Sequence, residues 1–139
     1  MIRDFRESDM QHVLDIWLCA SIEAHSFIDR DFWESNVPAM REIYLPSSEI
    51  YVSEDNGSVN GFIALNGESV AALFVSPSSQ GKGIGTQLLN RAKELCGTLE
   101  LCVYKENIKS FEFYRRHLFA AEGEHLDRKT GCMQIVMRW

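Results

Sequence analysis

The chain has 139 residues, within the range of about 100–200 residues that is typical of one domain. We therefore expect a single domain over residues 1–139, which excludes a two-domain enzyme. Its formal net charge of −6 is opposite in sign to that of most proteins that bind nucleic acid. No apolar run reaches the roughly 18–20 residues that cross a bilayer, and the charged N-terminal segment is unlike a signal peptide. We expect a cytoplasmic protein that contacts neither nucleic acid nor membrane.

Four cysteines are spread along the chain, at Cys19, Cys96, Cys102 and Cys132. Their spacing forms no C-x-x-C pair, and no Cys/His cluster indicates a zinc or redox site, so we expect no metal. Each cysteine lies in an apolar segment, where a small buried thiol is the usual role. We therefore expect all four in the core.

The first third of the chain is predicted to be mainly helical after a short strand at Ile2–Phe5. Residues Ser8–Gln11 have the S-x-x-Q form of a capping box, which predicts that a helix begins there. Apolar residues then recur every three or four positions from Met10 to Ser21, the pattern of a helix with one buried face. A second helix is predicted from Asp29 to Tyr44, where Pro38 kinks or splits it.

The pattern then changes to short segments rich in β-branched and aromatic residues, separated by turn sequences. The segments are Ile50–Val52, Val59–Leu65 and Ser69–Val75. Asp55-Asn56-Gly57 and Asn66-Gly67, which lie between them, are strong hairpin signals. The sequence therefore predicts a three-stranded antiparallel meander.

The second half alternates helix and strand. The predicted elements are a helix over Gly83–Gly97, a strand over Leu99–Val103, a helix over Ile108–Leu118 and a hairpin of Phe119–Leu126 with Cys132–Trp139. The crossover between Val70 and Leu118 should make its two strands parallel neighbours in the sheet. The sequence thus predicts an α+β fold, with a mixed sheet covered by helices on both faces.

A glycine-rich turn precedes the first helix of this half. Gly81, Gly83 and Gly85 fall within the segment Gln80–Thr86. Such a turn aims consecutive N–H groups outward at a helix N-terminus, where an anion such as a pyrophosphate is favoured. The Walker A pattern does not match, and the dinucleotide pattern G-x-G-x-x-G matches only weakly. The pattern Q/R-x-x-G-x-G/A is satisfied by Gln80, Gly83 and Gly85.

At this turn the chain resembles the GNAT superfamily of acetyl-coenzyme A-dependent N-acetyltransferases. The resemblance extends to Leu73–Pro77 at the end of a strand, to Val103–Asn107 and to the F-Y-x-x-x-x-F segment Phe113–Phe119. It implies a GNAT-like, mostly antiparallel twisted sheet of about six to seven strands. It also implies acetyl-coenzyme A as cosubstrate, an amine of a small molecule or a protein as acceptor, and a monomer or homodimer.

The resemblance further implies residues that contact the cofactor. The glycine turn would hold the pyrophosphate, and backbone groups of the preceding strand would pair with the pantetheine arm. Asn107 matches a position that contacts the cofactor, although a loop asparagine that only forms its own turn is an alternative. The implied positions are Leu73, Phe74, Val75, Gln80, Gly81, Lys82, Gly83, Ile84, Gly85, Thr86 and Asn107.

Tyr114 is the candidate catalytic residue. When an amine attacks the thioester, the leaving thiolate needs a proton donor, and a phenol with a pKa near 10 is protonated at neutral pH. Tyr114 also lies on the apolar stripe with Phe111 and Leu118, so a purely structural core tyrosine is the alternative.

No general base is evident in the sequence. Where some family members carry a strand glutamate, this chain has Val103, and Glu100 could act only through a water. Glu23, His25 and Phe27 lie near the end of the first predicted helix, which in this family borders the acceptor site, so His25 is also a candidate for the base. We therefore assign them to substrate binding, with a solvated acid and a structural histidine as alternatives.

The leading hypothesis is an N-acetyltransferase that acts by direct attack in a ternary complex. Because a strand carboxylate is missing, a non-catalytic module that binds or senses acyl-coenzyme A is the alternative. A nucleotide-binding oxidoreductase is a weaker third hypothesis, since the glycine pattern matches a dinucleotide site only in part.

Overall fold

A computed structural model describes residues 1–139 and contains one seven-stranded sheet. The strands are β1 (Ile2–Asp4), β2 (Glu49–Asp55), β3 (Ser58–Asn66), β4 (Ser69–Val75), β5 (Glu100–Tyr104), β6 (Ala120–Asp127) and β7 (Cys132–Arg138). Their order across the sheet is β1-β2-β3-β4-β5-β7-β6. All neighbours pair antiparallel except β4 and β5, which are parallel. The predicted meander, the parallel crossover and the C-terminal hairpin are confirmed.

The helices lie in the segments that their periodicity predicts. They are α1 (Met10–Ala24), α2 (Arg30–Ser35), α3 (Val37–Ala39, continued as a π-helical turn over Met40–Tyr44), α4 (Ile84–Leu95) and α5 (Ile108–Arg116). The predicted second helix is split because Pro38 lacks an N–H group and is tolerated only in a first helical turn. It occupies that position in α3.

The predicted capping box at Ser8 is wrong. Ser8 lies inside a 3₁₀ turn over Glu7–Asp9 that precedes α1. The Asp9 carboxylate accepts from the backbone N–H of Arg6 at 2.8 Å and forms a two-point ion pair with Arg3 at 2.8 and 2.9 Å. A carboxylate with a paired guanidinium is a stronger acceptor than a serine hydroxyl, so Asp9 organises this turn.

Helices cover both faces of the sheet, as predicted. On one face, α4 and α5 pack on the sheet through a cluster that includes Leu88, Leu89 and Tyr114. On the other face, α1 and α2 pack through a cluster that includes Leu14 and Trp33. None of these helices is long and apolar enough to span a bilayer.

The expectation that all four cysteines are buried is wrong. Cys19 and Cys102 are exposed, Cys96 and Cys132 are half-buried, and none is in a disulfide. Cys102 shows the reason, because it lies on β5 between buried Leu101 and Val103. Side chains alternate between the two faces of a strand. A residue whose neighbours in sequence are buried therefore points to the opposite face and can be exposed.

Candidate active site

A cleft opens where β4 and β5 separate. The two strands pair only at Ser69 and Glu100, with a further hydrogen bond from the Glu100 N–H to the Glu68 carbonyl at 2.9 Å. Beyond that point they diverge, and the space between them forms a cavity of about 850 Å³. Its walls come from β4, the glycine turn, β5, α5 and the end of α1.

The predicted strand residues Leu73, Phe74 and Val75 all line this cleft. The Ser76 N–H donates to the Asn60 carbonyl at 2.8 Å, across the ladder with β3. Because backbone groups point alternately to the two sides of a strand, those of Val75 and Leu73 point away from β3 and into the cleft. The Val75 carbonyl accepts there from Gln80 Nε2 at 3.1 Å. This hydrogen bond occupies the Val75 carbonyl and leaves the Val75 N–H and the Leu73 backbone groups of this edge for another partner.

The glycine turn forms the next part of the wall. Gly81 and Gly83 have φ angles of +80° and +81°, a region that side chains disfavour. A Cβ at either position would meet no atom within 4 Å, so these glycines are required by their backbone conformation and not by a close neighbour. Gly83 begins the twelve-residue helix α4 without a side-chain cap. The first N–H groups of α4 consequently remain available to an anion.

The remaining turn residues differ in position. Gln80, Gly85 and Thr86 line the cleft, and so does Ile84, which is also part of the core. The side chain of Lys82 is exposed and lies against a separate cavity of about 290 Å³. Of the turn residues implied by the resemblance, Lys82 is thus the one that does not line the cleft.

Two basic residues that the sequence analysis missed, Lys109 and Arg116, line the cleft from α5. They lie seven positions apart on one helix, a spacing that places both on the same face. Their helical spacing was visible in the sequence, but nothing indicated that this face of α5 borders the cleft. Lys109 lies near Asn107 at the start of α5, whereas Arg116 lies at its other end, where His117 contacts Thr86 of the turn. Arg116 therefore adds positive charge beside the turn.

Tyr114 lies on α5 and borders the cleft while its ring is buried. The ring makes edge contacts with Phe113 and Phe119, at centroid distances of 5.2 and 5.5 Å. Burial raises the pKa of the phenol above its usual value. Tyr114 therefore carries its proton at neutral pH and is a potential proton donor.

Three rings form the opposite end of the cleft, and we call His25, Trp33 and Tyr104 the ring cluster. His25 stacks on Trp33 at 5.1 Å and meets the edge of Tyr104 at 5.2 Å. The Tyr104 hydroxyl donates to Asp127 at 2.6 Å. The predicted residue Phe27 packs against His25 at 5.7 Å but does not line the cleft. Trp33 and Tyr104 were not among the predicted site residues because their meeting depends on tertiary packing.

His25 is only 7% exposed, and its Nε2 atom lies 3.1 Å from Asn107 Nδ2. Burial lowers the pKa of its imidazole to about 4. The ring is therefore neutral at neutral pH, and the nitrogen that would take up a proton is already engaged. His25 is not suited to be the general base.

Asn107 caps helix α5, because its Oδ1 atom accepts from the Ser110 N–H at 3.2 Å. This is the local role that a loop asparagine commonly takes. Asn107 also lines the cleft, so the local role and a contact with a ligand are compatible.

Glu23 is the one carboxylate that lines the cleft, and it is exposed at the end of α1. Glu100, considered above as a base acting through water, pairs with Arg138 and lies outside the lining. The cleft therefore has a basic end at the glycine turn, a single acid near the ring cluster, and Tyr114 in its wall.

Comparison with known proteins agrees with this geometry. A family model described as an acetyltransferase (GNAT) domain matches residues 46–121. The peptidyl-lysine N-acetyltransferase YiaC of Escherichia coli strain K12 is 32% identical, over 100% of this chain and 96% of its own length. The chain belongs to the GNAT acetyltransferase family. It is accordingly an acyltransferase, as the resemblance predicted.

Further GNAT relatives and structures show the same relationship. The peptidyl-lysine N-acetyltransferase YjaB of Salmonella typhimurium is 28% identical, over 88% of this chain and 84% of its own length. The apo-form solution structure of Escherichia coli YjaB has a TM-score of 0.88 at 22% identity and covers 100% of this chain and 96% of that one. The PaiA N-acetyltransferase of Thermoplasma acidophilum, solved in complex with coenzyme A, has a TM-score of 0.84 at 18% identity, with coverages of 99% and 96%. The GNAT fold predicted from the sequence is confirmed.

Proposed function

We propose that this GNAT enzyme transfers the acetyl group of acetyl-coenzyme A to the side-chain amine of a protein lysine. The names of YiaC and YjaB, both peptidyl-lysine N-acetyltransferases, support the choice of acceptor. The open cleft between β4 and β5 is the single observation that carries the proposal, because it joins a phosphate-binding turn, a proton donor and an acidic mouth in one cavity.

The residues at the basic end suit the cofactor. Helix α4 begins after Gly81 and Gly83 without a side-chain cap, so its first N–H groups are available to a pyrophosphate. Arg116, at the end of α5 where His117 contacts Thr86, adds positive charge beside the turn. The Val75 N–H and the backbone groups of Leu73 supply the donors and the acceptor that a pantetheine arm needs, while the Val75 carbonyl accepts from Gln80. When bound, acetyl-coenzyme A supplies an acetyl group activated as a thioester.

Tyr114 acts as the acid in this mechanism. Direct attack forms the amide bond to the lysine nitrogen and breaks the bond to sulfur, so the sulfur leaves as a thiolate that needs a proton. The buried phenol is protonated and donates it. The attacking nitrogen loses its second proton as the amide forms, and through water that proton restores the phenol. Its low-polarity surroundings strengthen a hydrogen bond to a developing charge.

Glu23 acts on the acceptor. A lysine reaches the cleft as an ammonium ion, and the carboxylate near the ring cluster attracts that charge. The ammonium must lose a proton before it attacks. Since His25 is engaged with Asn107, that proton passes to water, and the mechanism uses no dedicated base.

Incubation with ¹³C-labelled acetyl-coenzyme A and two matched peptides tests the proposal. One peptide has a blocked N-terminus and a single lysine, and the other has a free N-terminus and no lysine. We expect enzyme-dependent labelling of the lysine peptide by mass spectrometry, above the rate without enzyme. Labelling of the second peptide alone, or of a small amine alone, would overturn lysine as acceptor. Binding of acetyl-coenzyme A without release of coenzyme A to any amine would support a sensing module.

A further inference from the structure

The amide of Asn107 fixes the hydrogen bonding of His25. Asn107 Oδ1 accepts from the Ser110 N–H at 3.2 Å, so the oxygen must face α5 and the NH₂ group must face His25. Nδ2 is only a donor, and the His25 Nε2 atom 3.1 Å away must therefore be an acceptor. A neutral imidazole with one acceptor nitrogen carries its hydrogen on the other. His25 is thus held with its hydrogen on Nδ1.

This hydrogen bond joins two parts of the protein that the sheet holds together weakly. His25 follows α1, which packs on β3 and β4. Asn107 follows β5 and begins α5, which carries Tyr114. Because β4 and β5 pair at one position only, the bond between residues 82 positions apart crosses the cleft where the strands have diverged.

We propose that His25 is a positioning residue, which as a neutral acceptor for Asn107 Nδ2 ties the ring cluster to the start of α5 and so holds Tyr114 in place to protonate the leaving sulfur. The inference rests on the proposed function, because it assigns Tyr114 a part in the transfer. His25 itself touches neither the sulfur nor the proton in this scheme.

Unpaired polar atoms beside this bond support the proposal. The Nε1 atom of Trp33 and the hydroxyl of Ser21, one turn before His25 on α1, are buried without a hydrogen-bond partner. Most buried polar atoms in proteins are paired, because an unpaired one costs stability. A local cluster of exceptions is typical of sites where function has priority over stability.

A set of histidine variants separates positioning from packing. His25→Phe keeps a stacked ring but removes the acceptor for Asn107, and we expect kcat to fall at least about 10-fold with little change in the KM for acetyl-coenzyme A. His25→Gln supplies an acceptor oxygen at similar reach and should recover most of that loss. His12→Phe, on the exposed side of α1, is the control. If His25→Gln and His25→Phe lose kcat equally, or if neither does, the proposal is overturned.

Nitrogen NMR of the wild-type histidines tests the same inference without a substrate. At pH 6 we expect a neutral His25 with its hydrogen on Nδ1 and none on Nε2. A hydrogen on Nε2, or a charged ring at that pH, would overturn the proposal even if lysine acetylation is found. If the expected tautomer is found but no amine is acetylated, the result contradicts the proposed function, and the hydrogen bond between His25 and Asn107 is still supported.

Discussion

Ser69 and Glu100 face each other at the one position where β4 and β5 pair. The other strand pairs of the sheet join at three or more positions. Parallel strands that begin together and then separate leave unpaired backbone groups along the opening. Exposed strand edges are places where another extended chain can pair. The cleft is therefore a consequence of strand geometry, and the side chains of the turn, α1 and α5 give it chemical character.

Gly83→Ala should weaken acetyl-coenzyme A binding at least about 10-fold, because the pyrophosphate requires close approach to the turn backbone. Gly57→Ala is a matched control, since Gly57 has a φ of +79° in the β2–β3 turn and also has no atom within 4 Å of an added Cβ. Each alanine should lower the free energy of unfolding by roughly 1–2 kcal/mol. Calorimetric titration measures the affinity. Equal affinity in the two variants would mean that the turn only caps α4.

Tyr114→Phe should lower kcat by about 10²-fold, the usual loss for an acid catalyst, with little change in the KM for acetyl-coenzyme A. The free energy of unfolding should change by less than about 1 kcal/mol, because burial is the one cause of the raised pKa and no hydrogen bond to the hydroxyl contributes. Tyr44→Phe, at an exposed position, is the control. Unchanged turnover with lowered stability would assign Tyr114 to the core alone.

Much of the fold follows from local sequence patterns. The turns at Asn56-Gly57 and Asn66-Gly67 have positive φ angles at Asn56, Gly57 and Gly67, as their residue types predict. The periodicity of α4 and the glycine turn before it also determine where the proposed phosphate-binding end of the cleft lies. These features depend on residues close in sequence, so they can be predicted without knowing the tertiary structure.

Other features depend on which distant residues meet. Asp9 organises the first turn because Arg3, from β1, reaches it, and the local pattern pointed to Ser8 instead. The contact between His25 and Asn107 joins residues 82 positions apart, and Trp33 meets Tyr104 only once α2 packs against β5. No spacing in the sequence encodes these meetings. This is why the ring cluster was incompletely predicted.

Acid should destabilise the protein through His25. Its pKa is about 4 in the folded state against an ordinary 6.5, so below pH 6.5 the unfolded chain binds the proton more readily and stability falls. The rings of Phe27, Trp33 and Tyr104 surround it, and none offers a charge to offset this effect. Between pH 7 and pH 5 the loss should be about 2 kcal/mol.

Urea unfolding of wild type and His25→Phe at the two pH values measures this contribution. The variant lacks the titrating ring, so its stability should change less than that of wild type over the same interval. The exposed residue His12, replaced by Phe, should leave the wild-type pH dependence intact. An identical pH dependence in wild type and His25→Phe would contradict a depressed pKa at His25.

Glu23→Gln should raise the KM for a lysine peptide several-fold, because it removes the one carboxylate in the cleft. The KM for acetyl-coenzyme A should stay close to that of wild type. Asp31→Asn is the control, as Asp31 is an exposed acid on α2 outside the cleft lining. Initial rates over a range of peptide and of acetyl-coenzyme A concentrations, at low and at high salt, give the two KM values. An equal increase in both variants would show a general effect of net charge rather than a role of Glu23.

Titration of ¹⁵N-labelled protein with acetyl-coenzyme A, followed by amide chemical shifts, tests the central claim most directly, since it reports where the cofactor binds without needing the acceptor. We predict that the largest changes lie along Leu73–Val75, at Gly81 and Gly83–Thr86 and on α5 near Tyr114, which together line the cleft. Changes centred instead on the smaller cavity beside Met1, Ser53 and Gln87, or no changes at saturating ligand, would contradict the account.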